Sequence, residues 1–492
     1  MSRSTDGNAS SRNRKLKSTS KKQLRGKARE RAQRRVRTML EKVDADTGLP
    51  FAELLAMERI SEALEELGYE FRDRVYPPWV TLWAFLSQVT SKDSSCASTV
   101  TRVIAYRTLT DQGRCSPLAS SYMEARQRLP EEFYAKLACD IGQELDELSP
   151  SKWLWKERHV KIVDGTTTTM PDTEANQEAY PQSSGQKAGL GFPIARITAL
   201  FSLSVGPILD AEISATKGKK TGEITSFRKL WRSLNSSDIV LGDCLHDGYS
   251  DIAQLQDRDV DVIFGMSQSR ACDFRQGEQL GPGDHIVIWK RPKHDKSRID
   301  RKTWEALPKT MRVREVTMTI RDANNKRRTI TLVTTLLDSK KYPKQDILDL
   351  FRERWHCELD LRSVKTMMGM AEMSCLTPEM VRKEIWTYFL AYNLIRCHMA
   401  RAAEEYDVQP RRLSFNNARH AIETFNDTSI AATPTKTAEL YSDALYIIAC
   451  HRIGDRPGRT AERKLKRRKR KFSYLTSPRA RQKHEAAQVP AP

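Results

Sequence analysis

Between His159 and Phe264 the apolar residues stop following a helical period and begin to alternate, which fixes the class of fold open to this chain. Val160, Ile162 and Val163 lead into Asp164–Gly165, a strand ending in a turn. Ile194–Val205 and Ile208–Ala215 flank Gly206–Pro207 and predict a hairpin. Glu223–Leu234 has a helical pattern, and Ile239–Leu241 is a short apolar strand ending at Gly242–Asp243. A helix over Ser250–Leu255 and a strand over Val260–Phe264 follow. The order strand, strand, strand, helix, strand, helix, strand predicts an α/β fold with a ribonuclease H-like core.

The flanking segments have other patterns. Residues 1–40 form a basic arm poor in apolar residues, expected to be disordered when unbound. Residues 41–150 predict a helical DNA-binding domain, with a helix capped by Ser94 and another running from Ser116–Pro117 to Leu129. The Gln112–Gly113 turn between them fits a helix-turn-helix, and a plain helical bundle fits equally well. Residues 151–265 carry the first part of the core. Residues 266–340 read as a β-rich insertion, with Val313–Ile320 and Thr329–Leu336 around a hairpin signal at Asn324–Asn325. Residues 341–402 return to helix, beginning with a long one from about Lys344 to Met367. Residues 403–492 form a C-terminal region ending in a basic tail.

Charge placement points to a polyanionic partner. Of the net +20 in 492 residues, residues 1–40 hold fourteen Lys/Arg against two acids, and 451–492 hold fourteen against three. The excess therefore lies in two arms around a nearly neutral body. The longest apolar runs, Leu82–Leu86 and Tyr388–Ile395, fall far short of the roughly 20 residues of a membrane span. No apolar stretch follows the basic N-terminus, so a secretory signal is not expected. Nine scattered cysteines without a C-x-x-C pair read as reduced thiols.

The helix after the insertion carries the chemical signal. At about 100° per residue, Phe351, Arg354, Glu358 and Lys365 fall on one side, flanked by Leu350 and Leu361 and by Leu348, Trp355 and Leu359. Asp349, Glu353, His356, Asp360 and Ser363 fall on the opposite side, expected to face water. Charges within an apolar face must be paired or meet a ligand. One reading is an internal ladder with Arg354 paired to Glu358. The other is a carboxylate aimed at a metal, with cations beside it for phosphates. Asp164 and Asp243 favour the second, because their strands would be neighbours and both carboxylates would emerge at one sheet edge. Three converging carboxylates repel unless cations separate them, and oxygen-only ligands select Mg²⁺ or Mn²⁺.

Phe351-x-x-Arg354-x-x-x-Glu358-x-x-x-x-x-x-Lys365 resembles the Y-(2)-R-(3)-E-(6)-K signature of the insertion-sequence-four family of bacterial DDE transposases. The stretches Thr81–Cys96, Val163–Thr167, Lys217–Leu230, Val240–Leu255, Phe351–Met370 and His451–Arg459 are also similar to that family, so the likeness runs through most of the chain from about residue 50. The resemblance implies that Asp164, Asp243 and Glu358 are the catalytic, metal-binding triad holding two Mg²⁺ or Mn²⁺ ions. It further implies that Arg354 and Lys365 contact phosphates at the DNA end. The implied activity is cut-and-paste transposition: hydrolysis at the element end, often through a hairpin, then strand transfer by the freed 3′-hydroxyl. Expected partners are the terminal inverted repeats, target DNA and a second copy of the chain when ends are bound, in the cytoplasm at the nucleoid. The signature tyrosine is Phe351 here, a DNA-binding candidate that keeps the ring and lacks the hydroxyl.

Other features are weaker. Gly218-Lys-Lys-Thr-Gly222 lacks the G-x-x-x-x-G-K-[ST] spacing of a nucleotide loop. His356 and Glu358, two apart, point to different helix faces and do not suit zinc. His246 and Asp247 read as loop-surface residues. The alternatives are an inactive or domesticated DNA-binding protein, which the intact carboxylates oppose, and a ribonuclease H-like nuclease that cuts without joining.

Overall fold

The computed structural model describes residues 54–454, apart from 72–73, 186, 188, 269, 294–298, 322–326 and 430–431. The two basic arms are thus almost wholly outside the described residues, as is the Asn324–Asn325 signal. Two compact units are present: residues 54–133 with 393–454, and residues 134–392.

In the first unit the early helices are α1 (Met57–Glu66), α2 (Pro78–Thr90), α3 (Cys96–Leu109) and α4 (Ser120–Arg128). Helices α2, α3 and α4 bury Trp83, Val100, Val103, Tyr106, Tyr122 and Ala125 in a common core. Helix α3 is capped by Ser95 rather than the expected Ser94: the Ser95 hydroxyl accepts the Ser98 amide at 3.1 Å. Helix α4 starts at Ser120, four residues later than the Ser116–Pro117 signal suggested. The connection over 110–119 is longer than the three- or four-residue turn of a tight helix-turn-helix.

The second unit is built on one mixed sheet. Its strands are β1 (Val160–Thr169), β2 (Ile194–Ser202), β3 (Ile208–Ala215), β4 (Ile239–Gly242) and β5 (Asp261–Gly265). The inserted segment adds β6 (Glu278–Gly281), β7 (Asp284–Lys290), β8 (Thr310–Arg321) and β9 (Arg327–Thr334). The order is β3-β2-β1-β4-β5-β9-β8-β7-β6. Strands β1, β2 and β3 pair antiparallel, whereas β1–β4 and β4–β5 pair parallel. The insertion extends this same sheet, because β9 runs antiparallel to β5 from Leu332 to Thr334.

The helices of this unit are α5 (Glu131–Glu147), α6 (Glu174–Ala179), α7 (Glu223–Leu230), α8 (Tyr249–Asp257), α9 (Arg301–Ala306), α10 (Lys344–Glu353) and α11 (Trp355–Arg362). Helix α12 (Pro378–Glu405) begins here and ends among residues of the first unit, which also contains α13 (Phe415–Ser429) and α14 (Pro434–Cys450). Ile239, Val240 and Leu241 of β4 and Val262, Ile263 and Phe264 of β5 are all buried, as expected for parallel strands covered on both faces. Phe227, Leu230, Ile252 and Leu255, from α7 and α8, pack with Val240, Val262 and Phe264 in one core. Under the start of β1, Lys161 is almost wholly buried and pairs with Asp146 of α5, with Asp238 3.8 Å away. No helix among the described residues is long and apolar enough to cross a membrane.

Candidate active site

Strands β1 and β4 place two aspartates side by side. The parallel register pairs Val160 with Ile239, Lys161 with Val240 and Ile162 with Leu241. Continued by two residues, it sets Asp164 level with Asp243 on the neighbouring strand, and strands in a sheet lie about 4.8 Å apart. Strand β4 ends at Gly242 as expected, but β1 does not end at Asp164. It runs to Thr169 because Thr166–Thr169 continue pairing with β2. Segment 370–373 also adds to it: the Thr168 hydroxyl donates to the Met370 carbonyl at 2.6 Å, and the Met373 amide donates to the Thr169 carbonyl at 2.8 Å. Asp164 thus sits mid-strand and half-buried, level with the point where its parallel neighbour has stopped.

Asp164 accepts the Gly165 amide at 2.8 Å. Burial raises its carboxyl above the ordinary range, and the charge of Asp243 adds to this. Arg354 and the Cys357 thiol work in the opposite direction. Asp243 is half exposed and accepts the Leu245 amide at 2.9 Å. His246 Nε2 lies 3.8 Å from Asp243, beyond hydrogen-bond reach. Contrary to the surface reading, His246 is buried, its ring 4.9 Å from Phe227 and 5.9 Å from Phe264 between centroids. Burial lowers its pKa to about 4 despite Asp243, so it is neutral near pH 7. Gly242 keeps this packing possible, since a Cβ there would lie 2.9 Å from the His246 ring and 3.0 Å from Phe264. Asp247 is half-buried and accepts the Ser267 amide at 2.8 Å.

The helix expected from Lys344 to Met367 is not one continuous rod. It breaks at Arg354, whose amide turns back to the Phe351 and Arg352 carbonyls, and it closes in a π turn over Ser363–Met367. Both irregularities shift the phase, and a wheel drawn at a constant angle fails. Asp360 and Ser363, expected in water, are buried, whereas Trp355 is 60% exposed and Glu358 is exposed. Phe351, Arg354 and Lys365 are half-buried. The Arg354 guanidinium lies 5.9 Å from the centre of the Phe351 ring, and its charge acts on Asp164 and His246. It forms no ion pair with Glu358, so the salt-bridge ladder is absent. Lys365 Nζ donates to the Thr166 hydroxyl at 2.9 Å, tying this segment to β1 two residues beyond Asp164.

Asp164, Asp243 and Arg354 are therefore brought together, with Lys365 anchored beside them. Glu358 follows Cys357, whose thiol reaches Asp164, but its own carboxylate does not join the two aspartates. Among the described residues no group of three His, Cys, Asp or Glu side chains is placed to hold a metal ion. A carboxylate that sequence reasoning passed over feels the charge of both aspartates. Glu223, first residue of α7, is raised by burial and by the charges of Asp243 and Asp164. A search for acids following strands misses it, since it opens a helix after Gly222.

Comparison with known proteins places these residues in a family context. The transposase DDE domain family matches residues 155–394. Transposase InsG for insertion sequence element IS4, from Escherichia coli (strain K12), is 25% identical over 435 residues, covering 86% of this chain and 93% of that protein.

Proposed function

This chain is a DDE transposase of the insertion-sequence-four family, and from that premise we propose that it performs cut-and-paste DNA transposition with Asp164, Asp243 and Glu358 as its catalytic carboxylates. The observation that carries the proposal is the level placement of Asp164 and Asp243 on adjacent parallel strands, with Arg354 beside Asp164. The strand order β3-β2-β1-β4-β5 and its mixed directions support a ribonuclease H-like core that the insertion widens. In the proposed layout, residues 41–150 select DNA, residues 151–265 and 341–402 form the core around the 266–340 insertion, and both basic arms add phosphate contacts.

The residues present suit a divalent cation. Asp164 is held above its ordinary pKa by burial and a neighbouring acid, and a cation would reverse that penalty. The donors proposed are carboxylate oxygens; the Cys357 thiol that reaches Asp164 serves it as a hydrogen-bond donor, and His246 Nε2 stays 3.8 Å from Asp243. That chemistry selects Mg²⁺ or Mn²⁺, two ions in this proposal. Such ions activate a water or 3′-hydroxyl and stabilise the leaving oxygen. Asp164 and Asp243 would hold the ions from the sheet, and Glu358 from α11. Arg354 and Lys365 balance charge on the phosphate, Arg354 by its fork and Lys365 as a point charge fixed by Thr166. Trp355, exposed beside Arg354, offers a flat apolar face to an unpaired base. Paired ends would be held by two copies of the chain, at the nucleoid.

The experiment uses the full chain, Mg²⁺ or Mn²⁺, and a linear duplex bearing the DNA that flanks its own gene, with a supercoiled plasmid as target. Nicked, hairpin and released ends followed by plasmid-joined products are expected. Cut ends that never join would mean a nuclease, and no metal-dependent cutting would contradict the proposal.

A further inference from the structure

His246 follows Asp243 by three residues and is held fast by the core beneath the site. Its ring meets Phe227 of α7 near edge-to-face and tilts against Phe264 of β5, and only 1% of the side chain is exposed. Gly242 completes this seat, because a Cβ there would fall 2.9 Å from the ring carbon bonded to Nε2. The backbone fixes the turn as well: the His246 amide donates to the Asp243 carbonyl at 3.3 Å, and the Leu245 amide to Asp243 Oδ1 at 2.9 Å. Within this seat Nδ1 is buried and meets no hydrogen-bond partner. An apolar ring would fill the same space without orphaning a polar atom, so packing alone does not account for an imidazole. The other nitrogen, Nε2, lies 3.8 Å from Asp243 Oδ1. Of the two charges acting on the ring, that of Asp243 is larger than that of Arg354. A carboxylate attracts an N–H and repels a lone pair, which puts the proton of the neutral ring on Nε2.

We propose that His246 is a positioning residue for Asp243, its Nε2–H serving as a fixed donor that aligns this carboxylate when the site engages its ion and DNA end. The inference rests on the reading of Asp243 as a metal ligand. The Asp243 side chain is half exposed and free to turn, whereas the buried ring is not. A shortening of about 1 Å brings the pair into hydrogen-bond range. Donors that orient a ligating group in this way change metal affinity or activity by about 10- to 100-fold when removed.

The competing explanation is that the ring only fills the core, and His246→Phe separates the two by keeping a ring and removing both nitrogens. The first test measures, on the full chain and an element-end duplex, the Mn²⁺ concentration that half-saturates nicking, beside melting curves without metal. His246→Phe should raise that concentration about tenfold or more, while the metal-free melting temperature holds or rises because the orphaned Nδ1 is gone. His246→Gln, which restores an N–H donor, should recover part of the loss. Wild-type Mn²⁺ dependence in His246→Phe would make the ring core filling and overturn the inference. Asp243→Asn is the control: if it nicks fully, the reading beneath the inference fails and the inference with it. If Asp243→Asn is dead while His246→Phe matches wild type, only the inference falls. The second test needs no turnover and stands even where His246→Phe folds poorly. Nitrogen-15 NMR of the histidines in the metal-free chain, with His246 assigned by its loss in His246→Gln, should show the proton on Nε2 and a shift of that signal in Asp243→Asn. A proton on Nδ1, or a signal indifferent to Asp243→Asn, would overturn the proposal.

Discussion

The strand that carries Asp164 is anchored by a buried ion pair, and removing Asp146 should release it. Lys161, three residues before Asp164, and Asp146 are each about 2% exposed and hydrogen-bonded to one another. His159 Nδ1 lies 3.1 Å from the same carboxylate oxygen. Burial opposes the Asp146 charge, but His159, Lys161 and Ser202 overcome it and bring the pKa down to about 2. At about 1.4 kcal/mol per pKa unit, that lowering from the ordinary aspartate value contributes about 2 kcal/mol. A folded pKa below the unfolded one means the contribution is complete above about pH 4 and is lost as pH falls through about 2. Asp146→Asn keeps the shape but leaves the Lys161 ammonium buried. Breaking a buried pair from one side costs about 3–5 kcal/mol. Asp238, 3.8 Å from the ammonium, keeps part of its compensation, which sets the expectation at the lower end, about 3 kcal/mol. The assay is urea unfolding of wild type and variant by circular dichroism at pH 7 and in steps down to pH 2. The two stabilities should differ by about 3 kcal/mol at pH 7 and converge by about 2 kcal/mol at the acid end. A difference below about 1 kcal/mol at pH 7, or parallel curves, would refute the reasoning.

Two further expectations concern DNA. Phe351→Tyr restores the signature hydroxyl beside Arg354 and should speed hairpin formation or strand release by roughly tenfold, a hydrogen bond to a charged group contributing about 1.5–3 kcal/mol. Single-turnover product analysis checks this, and unchanged rates at every step would make the position ordinary packing. Deleting residues 1–36, outside the described residues, should lower affinity for any DNA and flatten its salt dependence, each lost phosphate contact reducing the slope by about one. An unchanged slope would remove that arm from the interface.

Much of the architecture was legible in alternation alone. The strands from Val160 to Phe264 lie close to where the pattern put them, since parallel strands buried on both faces must be apolar. Asp243 was found because its strand ends there. Asp164 was found for a partly mistaken reason: its strand continues, prolonged by Thr166–Thr169 and by segment 370–373, contacts two hundred residues away in sequence. The helical wheel failed because one phase was assumed through the break at Arg354 and the π turn, neither marked by proline or glycine. Hence Asp360 is buried and Trp355 exposed. Glu223 is not legible in the sequence because it opens a helix after Gly222 and ends no strand.

The most direct test of the account is metal-dependent cleavage of an element-end duplex by Asp164→Asn, Asp243→Asn and Glu358→Gln, measured beside DNA binding by the same proteins. The account predicts that each variant binds the end about as well as wild type and fails to nick it in Mg²⁺ or Mn²⁺. Full cleavage by Asp164→Asn or Asp243→Asn would contradict the proposed site, and full cleavage by Glu358→Gln would remove α11 from the chemistry.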